Sequence, residues 1–206
     1  MDLAKFYADT VTYPPLVMWG ELSTPDRVAF VWSANQASAD AFVRYIAPLM
    51  AREHNSKHRA IALVQAFGDE QKVYPDGKKY NVDMRGPGAL LFCAPNRDAY
   101  GRLALEYLMS TADRQRMQPL RLGKVVDVFS SNAALNEAFK KVSVDLVQCA
   151  QSDVFYNRLA SAVGFSKSFE LRHGIKETPA FIVGEKTITM RDAAGLRQIE
   201  QMWLKP

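Results

Sequence analysis

The residues of this 206-residue chain whose types and spacing could do chemistry are two cysteines, three histidines and one turn that carries a serine. Cys93 and Cys149 stand far apart, and no Cys-x-x-Cys occurs. Such a pair forms one long-range disulfide in an oxidising compartment or two buried thiols in a reducing one. No adjacent thiol or electropositive helix start activates either sulfur for exchange. His54 and His58 stand four apart, a spacing that sets two imidazoles on one helix face for a metal. The surrounding "REHNSKH" is strongly polar, Asn55-Ser56 reads as a helix end and no third ligand is evident, so they read as loop histidines. No metal and no cofactor is expected. His173 precedes Gly174 near the end of a predicted helix, where a positive side chain interacts favourably with the last carbonyls.

The turn lies in "AFVWSANQASADAFVRYI", where an apolar strand passes through Asn35, Gln36, Ala37 and Ser38 into an amphipathic helix. As a nucleophile Ser38 would need a base within reach, and the local sequence offers only Asp40. At a helix start a serine more commonly caps, its oxygen taking a backbone N–H two or three residues on, and Ser38 is read as the cap. Trp32, just before the turn, serves either as an aromatic anchor lining a peptide groove or as core packing under a sheet.

These residues must be positioned by regular elements. "RVAFVW" (27–32) is dense in β-branched and aromatic residues and short enough for a buried strand. Phe42, Ile46, Leu49 and Met50 then share one helix face. "HRAIALVQAF" (58–67) is a second apolar strand, completing a β-α-β unit of a parallel or mixed sheet. The segment 68–88 is loop-like, with Pro-Asp-Gly turn chemistry in "YPDGKK" that suits a small hairpin. Helices are predicted over about 88–110, broken near Pro95, over 132–148, and over 149–172 with Asp153 as its cap. "PAFIV" and "KTITM" form two short strands around Gly184-Glu185, and a terminal helix follows with Asp192 placed to cap it. Residues 1–26 read as a short helix and an extended, proline-bearing lead-in.

Composition suits one globular domain: 48% hydrophobic, 11% aromatic and 23% charged residues signal a core and no disorder. The net charge of +4 is scattered rather than clustered, so no nucleic-acid partner is expected. The longest apolar run, 89–94, falls far short of the roughly 20 residues that span a bilayer, so no membrane insertion is expected. The opening "MDLAKFYADT" is polar and starts in an amphipathic pattern, so it does not read as a signal peptide. Either the protein is cytoplasmic, or it is exported and its signal peptide has been removed.

The order β-α-β, helices, β-β-α, ending in "ETPAFIVGEKTITMRDAAGLRQIEQMW", resembles a thioredoxin-like α/β fold carrying a helical insertion. In that fold a Thr-Pro step such as Thr178-Pro179 takes the cis form and leaves an unpaired backbone edge beside the first helix, where an extended peptide adds as a strand. More closely, the chain resembles the Dsb-type thiol-disulfide family, particularly the catalytic domain of its DsbC/DsbG isomerase branch. "VAFVW" with its turn and helix, "LLFCAPNRDAY", "HGIKETPAFIV" and the terminal helix carry the likeness over about half the chain. The resemblance implies a structural disulfide between Cys93 and Cys149, a peptide site at Thr178, Pro179 and Trp32, and an exported, periplasmic protein. It divides the chain into a lead-in, 1–26, and a thioredoxin-like domain, 27–206, with the insertion at about 89–172. The insertion is longer than in the isomerase branch and is similar to that of the DsbA branch.

Counting five residues on from Phe30, the family's Cys-x-x-Cys falls on Asn35-Gln36-Ala37-Ser38, and the acid often buried in thioredoxins falls on Ala29. Thiol-disulfide exchange needs a thiolate attacking sulfur, which neither an amide nor an unactivated hydroxyl supplies. The expected function is therefore a non-redox, chaperone-like module, or an accessory to envelope or secretion assembly, that binds extended or partly folded exported polypeptides. An enzyme with residual or altered thiol-disulfide activity, and a structural subunit packed on one fixed partner, are the alternatives. Some 25 residues precede the first strand, so the isomerase-type dimerisation domain is not expected, and a monomer or weak dimer is.

Overall fold

Two β-strands side by side in space, each with alternating large and small apolar residues, set the plan of the molecule. The computed structural model describes residues 16–19, 26–56, 59–68, 71–73, 77, 79–81, 87–109, 148–149 and 151–204. Strand β1 is Leu16–Trp19, β2 is Asp26–Trp32 and β3 is Arg59–Gln65. Between β2 and β3 run helix α1, Gln36–Ala41, a π-helical turn, Phe42–Ile46, and helix α2, Ala47–Ser56. β4, Gln71–Val73, pairs antiparallel with β5, Lys79–Asn81, as the small hairpin expected around the Pro-Asp-Gly turn, with Gly77 at φ 76°. A 3-10 helix, Pro87–Cys93, and α3, Arg97–Met109, follow, broken at 94–96 as predicted. α4, Asp153–His173, β6, Ala180–Val183, β7, Lys186–Thr189, and α5, Ala193–Leu204, complete the order. The predicted helix at 132–148 lies outside the described residues except for its last position.

The five-stranded sheet has the order β1-β3-β2-β6-β7. β2 lies parallel to β3, with Val28 opposite Ile61, and antiparallel to β6, with Val31 opposite Ala180. β1 joins antiparallel to β3, so Leu16–Trp19, read from sequence as extended lead-in, forms an edge strand of this sheet.

Because side chains alternate along a strand, each face of the sheet collects its own core. Val28, Phe30 and Trp32 of β2 join Ile61, Leu63 and Phe181 under the helices of the first face. Phe30 lies 5.2 Å from Phe181 and 6.0 Å from Phe42 between ring centroids, and Tyr45 meets Phe181 edge-on. Ala29 and Val31 point the other way with Ala62, Val64, Ala180 and Ile182, where Phe169 of α4 covers them.

The helix after β2 is not uniformly α. Pro48 lacks an N–H and its ring would clash with the carbonyl four residues earlier. The π-helical turn immediately before it widens the ladder where that bond is lost, while Phe42, Tyr45 and Ile46 stay buried. The cap of α4 is Ser152, whose Oγ accepts from the Phe155 N–H at 3.2 Å, rather than Asp153, which sits in the first turn. Gly174 closes that helix at φ 62°, a left-handed position that glycine occupies without strain. His173, in the last turn, packs against Phe169 with ring centroids 4.5 Å apart, the planes tilted. Burial, then neighbouring positive charge, lowers its pKa, which disfavours the cationic form that the expected cap requires.

A buried polar chain joins the sheet to the helices. The Tyr100 hydroxyl donates to Gln65 Oε1 at 2.8 Å, and Gln65 Nε2 donates to the Gly88 carbonyl at 3.1 Å. Burial raises the Tyr100 phenol well above its usual pKa, which keeps it a donor. Gly88 itself lies against the turn, where an added Cβ would stand 2.5 Å from the Ala34 Cβ and 3.0 Å from Gln65 Nε2. Gly88→Ala is therefore expected to cost about 1–3 kcal/mol of stability, read as a lowered denaturation midpoint in urea. Asp192 caps α5 through the Gly195 N–H at 2.9 Å and pairs with Lys186 at 3.1 Å, as its sequence position predicts. The Gly195 N–H first, and Lys186 second, lower its pKa. Its stabilisation is thus present above the ordinary value of 3.8 and is lost as pH falls through the lower folded value. Asp192→Ala should melt below the parent at neutral pH, with the two melting temperatures converging as the pH is taken below that range.

Candidate functional site

The candidate site is built where the pairing of β2 stops. Trp32 still pairs with Gln65, and its carbonyl accepts from the Ala66 N–H at 2.7 Å. Ser33 is the first residue past the strand and begins the turn into α1. Its Oγ lies 2.7 Å from Thr178 Oγ1, across 145 residues of sequence. Asn35 Nδ2 donates to the same Ser33 oxygen at 2.7 Å. The Thr178-Pro179 peptide bond is cis. One hydroxyl therefore links the turn, the start of α1 and the step before β6.

Asn35 is the cap of α1: its backbone is extended and its Oδ1 accepts from the Ser38 N–H at 2.8 Å. Ser38, read from sequence as the cap, is instead the third residue of the helix. It is fully buried, and its Oγ accepts from the Ser33 N–H at 3.0 Å. Both residue types suit a cap, and the choice fell to whichever stood at the end of the extended backbone. Asp40, the one base sequence offered to Ser38, accepts from Gln36 Nε2 at 2.7 Å on the exposed side of the helix. A buried hydroxyl already holding a backbone N–H is a structural group in this setting, not an activated nucleophile.

Asn35 and Ala37 are exposed, Gln36 and Thr178 half-buried, and Pro179 buried. Trp32 is 0% exposed and packs against Tyr107 at 5.9 Å. Of its two sequence readings, core packing is the one its position fits: β2 alternation turns it inward with Phe30, and it presents no face to a docked peptide. The surface beside the turn is thus formed by Asn35, Ala37 and the backbone leading to Thr178. The main-chain groups of Lys176, Glu177 and Thr178 pair with no backbone group among the described residues.

Cys93 and Cys149 are joined by a disulfide, with 5.8 Å between their Cα atoms, and no cysteine is free. A bridge across 56 positions is worth about 4 kcal/mol on the chain-entropy model. It ties the 3-10 helix to the segment before α4. Arg158 of α4 holds the same helix end, donating to the Ala94 carbonyl at 3.0 Å. His58 and the side chain of His54 lie outside the described residues. Among those described, no group of three or more His, Cys, Asp or Glu is placed to hold a metal, and no helix is long and apolar enough to cross a membrane.

Sequence reasoning missed Ser33, Gln65, Tyr100 and Gly88. The signal for Ser33 was a small polar residue directly after an apolar strand; Gln65 was a lone polar residue inside one. Neither reveals its partner, because Thr178, Gly88 and Tyr100 are remote in sequence.

No family model matches the chain, and no curated protein sequence does. Among solved structures, it is similar to DsbA of Chlamydia trachomatis, with a TM-score of 0.54 and 13% identity over 93% of this chain and 91% of that one. It is similar to oxidised BdbD of Bacillus subtilis, with a TM-score of 0.52 and 14% identity over 96% of this chain and 100% of that one. A linker-deletion variant of ScsC from Proteus mirabilis gives 0.51 and 15% over 98% and 81%. These neighbours are Dsb-type thiol-disulfide oxidoreductases, and what the chain shares with them is the architecture: a thioredoxin-like α/β fold with helices inserted between its two halves.

Proposed function

We propose that this protein is a Dsb-related, non-redox module that binds extended or partly folded exported polypeptides. The observation that carries the reading is the location of its sulfur. The corner where β2 enters α1 holds Asn35 and Ser38, while both cysteines of the chain are consumed in one bond at the far end of the 3-10 helix. No thiolate is available at the corner to attack a substrate disulfide. In this reading Asn35-Gln36-Ala37-Ser38 replaces the family's Cys-x-x-Cys, as in a member of the isomerase branch that has lost its dithiol.

Binding is supported by what remains. The main chain of Lys176, Glu177 and Thr178, which pairs with no backbone group among the described residues, is an edge to which an extended segment can add by backbone hydrogen bonds, which give affinity with little sequence demand. The Ser33, Asn35 and Thr178 contacts hold that edge in place before a client arrives, which lowers the ordering cost of binding. A disulfide between the only two cysteines suits an oxidising compartment, in keeping with an exported protein.

Insulin reduction and refolding of scrambled ribonuclease are expected to show no turnover above buffer, while an unfolded, carboxymethylated polypeptide binds in a fluorescence titration. Thr178→Ala, which removes one hydrogen bond anchoring the edge, should weaken that binding by about fivefold. Turnover abolished by Cys93→Ser would instead establish a thiol-disulfide enzyme. Co-purification with one protein at fixed stoichiometry, without binding of the unfolded polypeptide, would establish a structural subunit.

A further inference from the structure

Beside Thr178, on the α4 side of the sheet, lies a depression of about 180 Å³ that opens to solvent. It is lined by residues 66–68 past the end of β3, by Lys167 and Glu170 of α4, and by residues 175–178. It sits directly alongside the main chain of 176–178. A strand added to that main chain presents alternate side chains to opposite faces of the sheet. One set of them is directed to the α4 side, where the depression is.

The charges lining it are not equivalent. Glu170 is already held by Lys167 at 3.2 Å and by the Ser166 hydroxyl at 3.0 Å. Glu177 is held by Arg191 at 3.3 Å. Lys176 is exposed and has no ion-pair partner among the described residues. An incoming group therefore meets two glutamates whose charge is offset and one lysine whose charge is not. Lys167, which also lines the depression, and Arg191 are the cations that offset them.

We infer that this depression is a side-chain subsite that selects a carboxylate on the docked polypeptide, received by Lys176. The carboxylate comes from an Asp or Glu side chain or from the client's C-terminus. The inference rests on the polypeptide-binding reading above, since the subsite has meaning only beside a docked chain.

The test uses the full chain and heptapeptides of serine and valine that carry Glu, Gln or Lys at the central position, each made with a free and an amidated C-terminus. Affinity is read by fluorescence anisotropy. The Glu peptide, or the free-terminus peptide for a terminal carboxylate, should bind about two- to fivefold more tightly than its Gln or amidated counterpart, the range of an exposed ion pair. That preference should shrink as salt is raised. Lys176→Glu should abolish or reverse it while leaving the Gln peptide bound, and Glu177→Gln, which removes a negative wall charge, should enlarge it. Equal binding of Glu, Gln and Lys peptides with either terminus, or a preference unchanged in Lys176→Glu, overturns the subsite while the docking edge stands. Failure of every peptide to bind overturns both.

Discussion

Strand β2 is paired with β3 over Asp26–Trp32 and with β6 over Val28–Val31, and the position of every group at the candidate site follows from where that pairing ends. A central strand bonded to β3 and β6 cannot shift register without moving the large Phe30 and Trp32 into the core of the second face and the smaller Ala29 and Val31 into that of the first. The end of β2 is therefore fixed in space, and Ser33, one residue further on, inherits a defined position. So do the ends of its neighbours: β3 delivers 66–68 to one side and the approach to β6 delivers Thr178 to the other. A crevice at the ends of the central strands of an α/β sheet is where ligands of such folds are commonly bound.

This corner is held together by side-chain hydrogen bonds. Ser33 Oγ receives Asn35 Nδ2 and contacts Thr178 Oγ1, Asn35 Oδ1 receives the Ser38 N–H, and Ser38 Oγ receives the Ser33 N–H. Each neutral bond contributes only about 1 kcal/mol net, but leaving one of these half-buried groups unpaired would cost more. The arrangement gives a rigid turn with an exposed amide-bearing cap and a backbone edge beside it. It gives no group that can carry electrons or an activated proton.

The far wall of the same corner is held independently. Gly88 can approach Ala34 because it has no Cβ, and the Tyr100, Gln65 and Gly88 chain satisfies the polar groups this close contact buries. At the other end of its helix, Cys93 is bonded to Cys149 and Arg158 holds the carbonyl of Ala94. The bridge is thus a support for the wall of a site that lies elsewhere.

How much of this was legible beforehand depended on whether the cause was local. Alternation in 27–32 and 58–67, the Pro-Asp-Gly turn, the Pro95 break and the Asp192 cap each depend on residues within a few positions of one another, and these elements were readable from sequence. So was the absence of a Cys-x-x-Cys. The edge strand at Leu16–Trp19 was hidden because pairing with β3, not its proline-flanked composition, makes it a strand. The choice of Asn35 over Ser38 as cap and the burial of Trp32 and Pro179 were decided by packing against elements far along the chain. The same holds for the contact of Ser33 with Thr178 and for the set of charges around Lys176. Sequence alone determined which residues could take part, because residue type and spacing set periodicity and turn chemistry. Only the tertiary structure decided which of them meet, because a hydrogen bond or an ion pair depends on a few ångströms of separation that sequence distance does not encode.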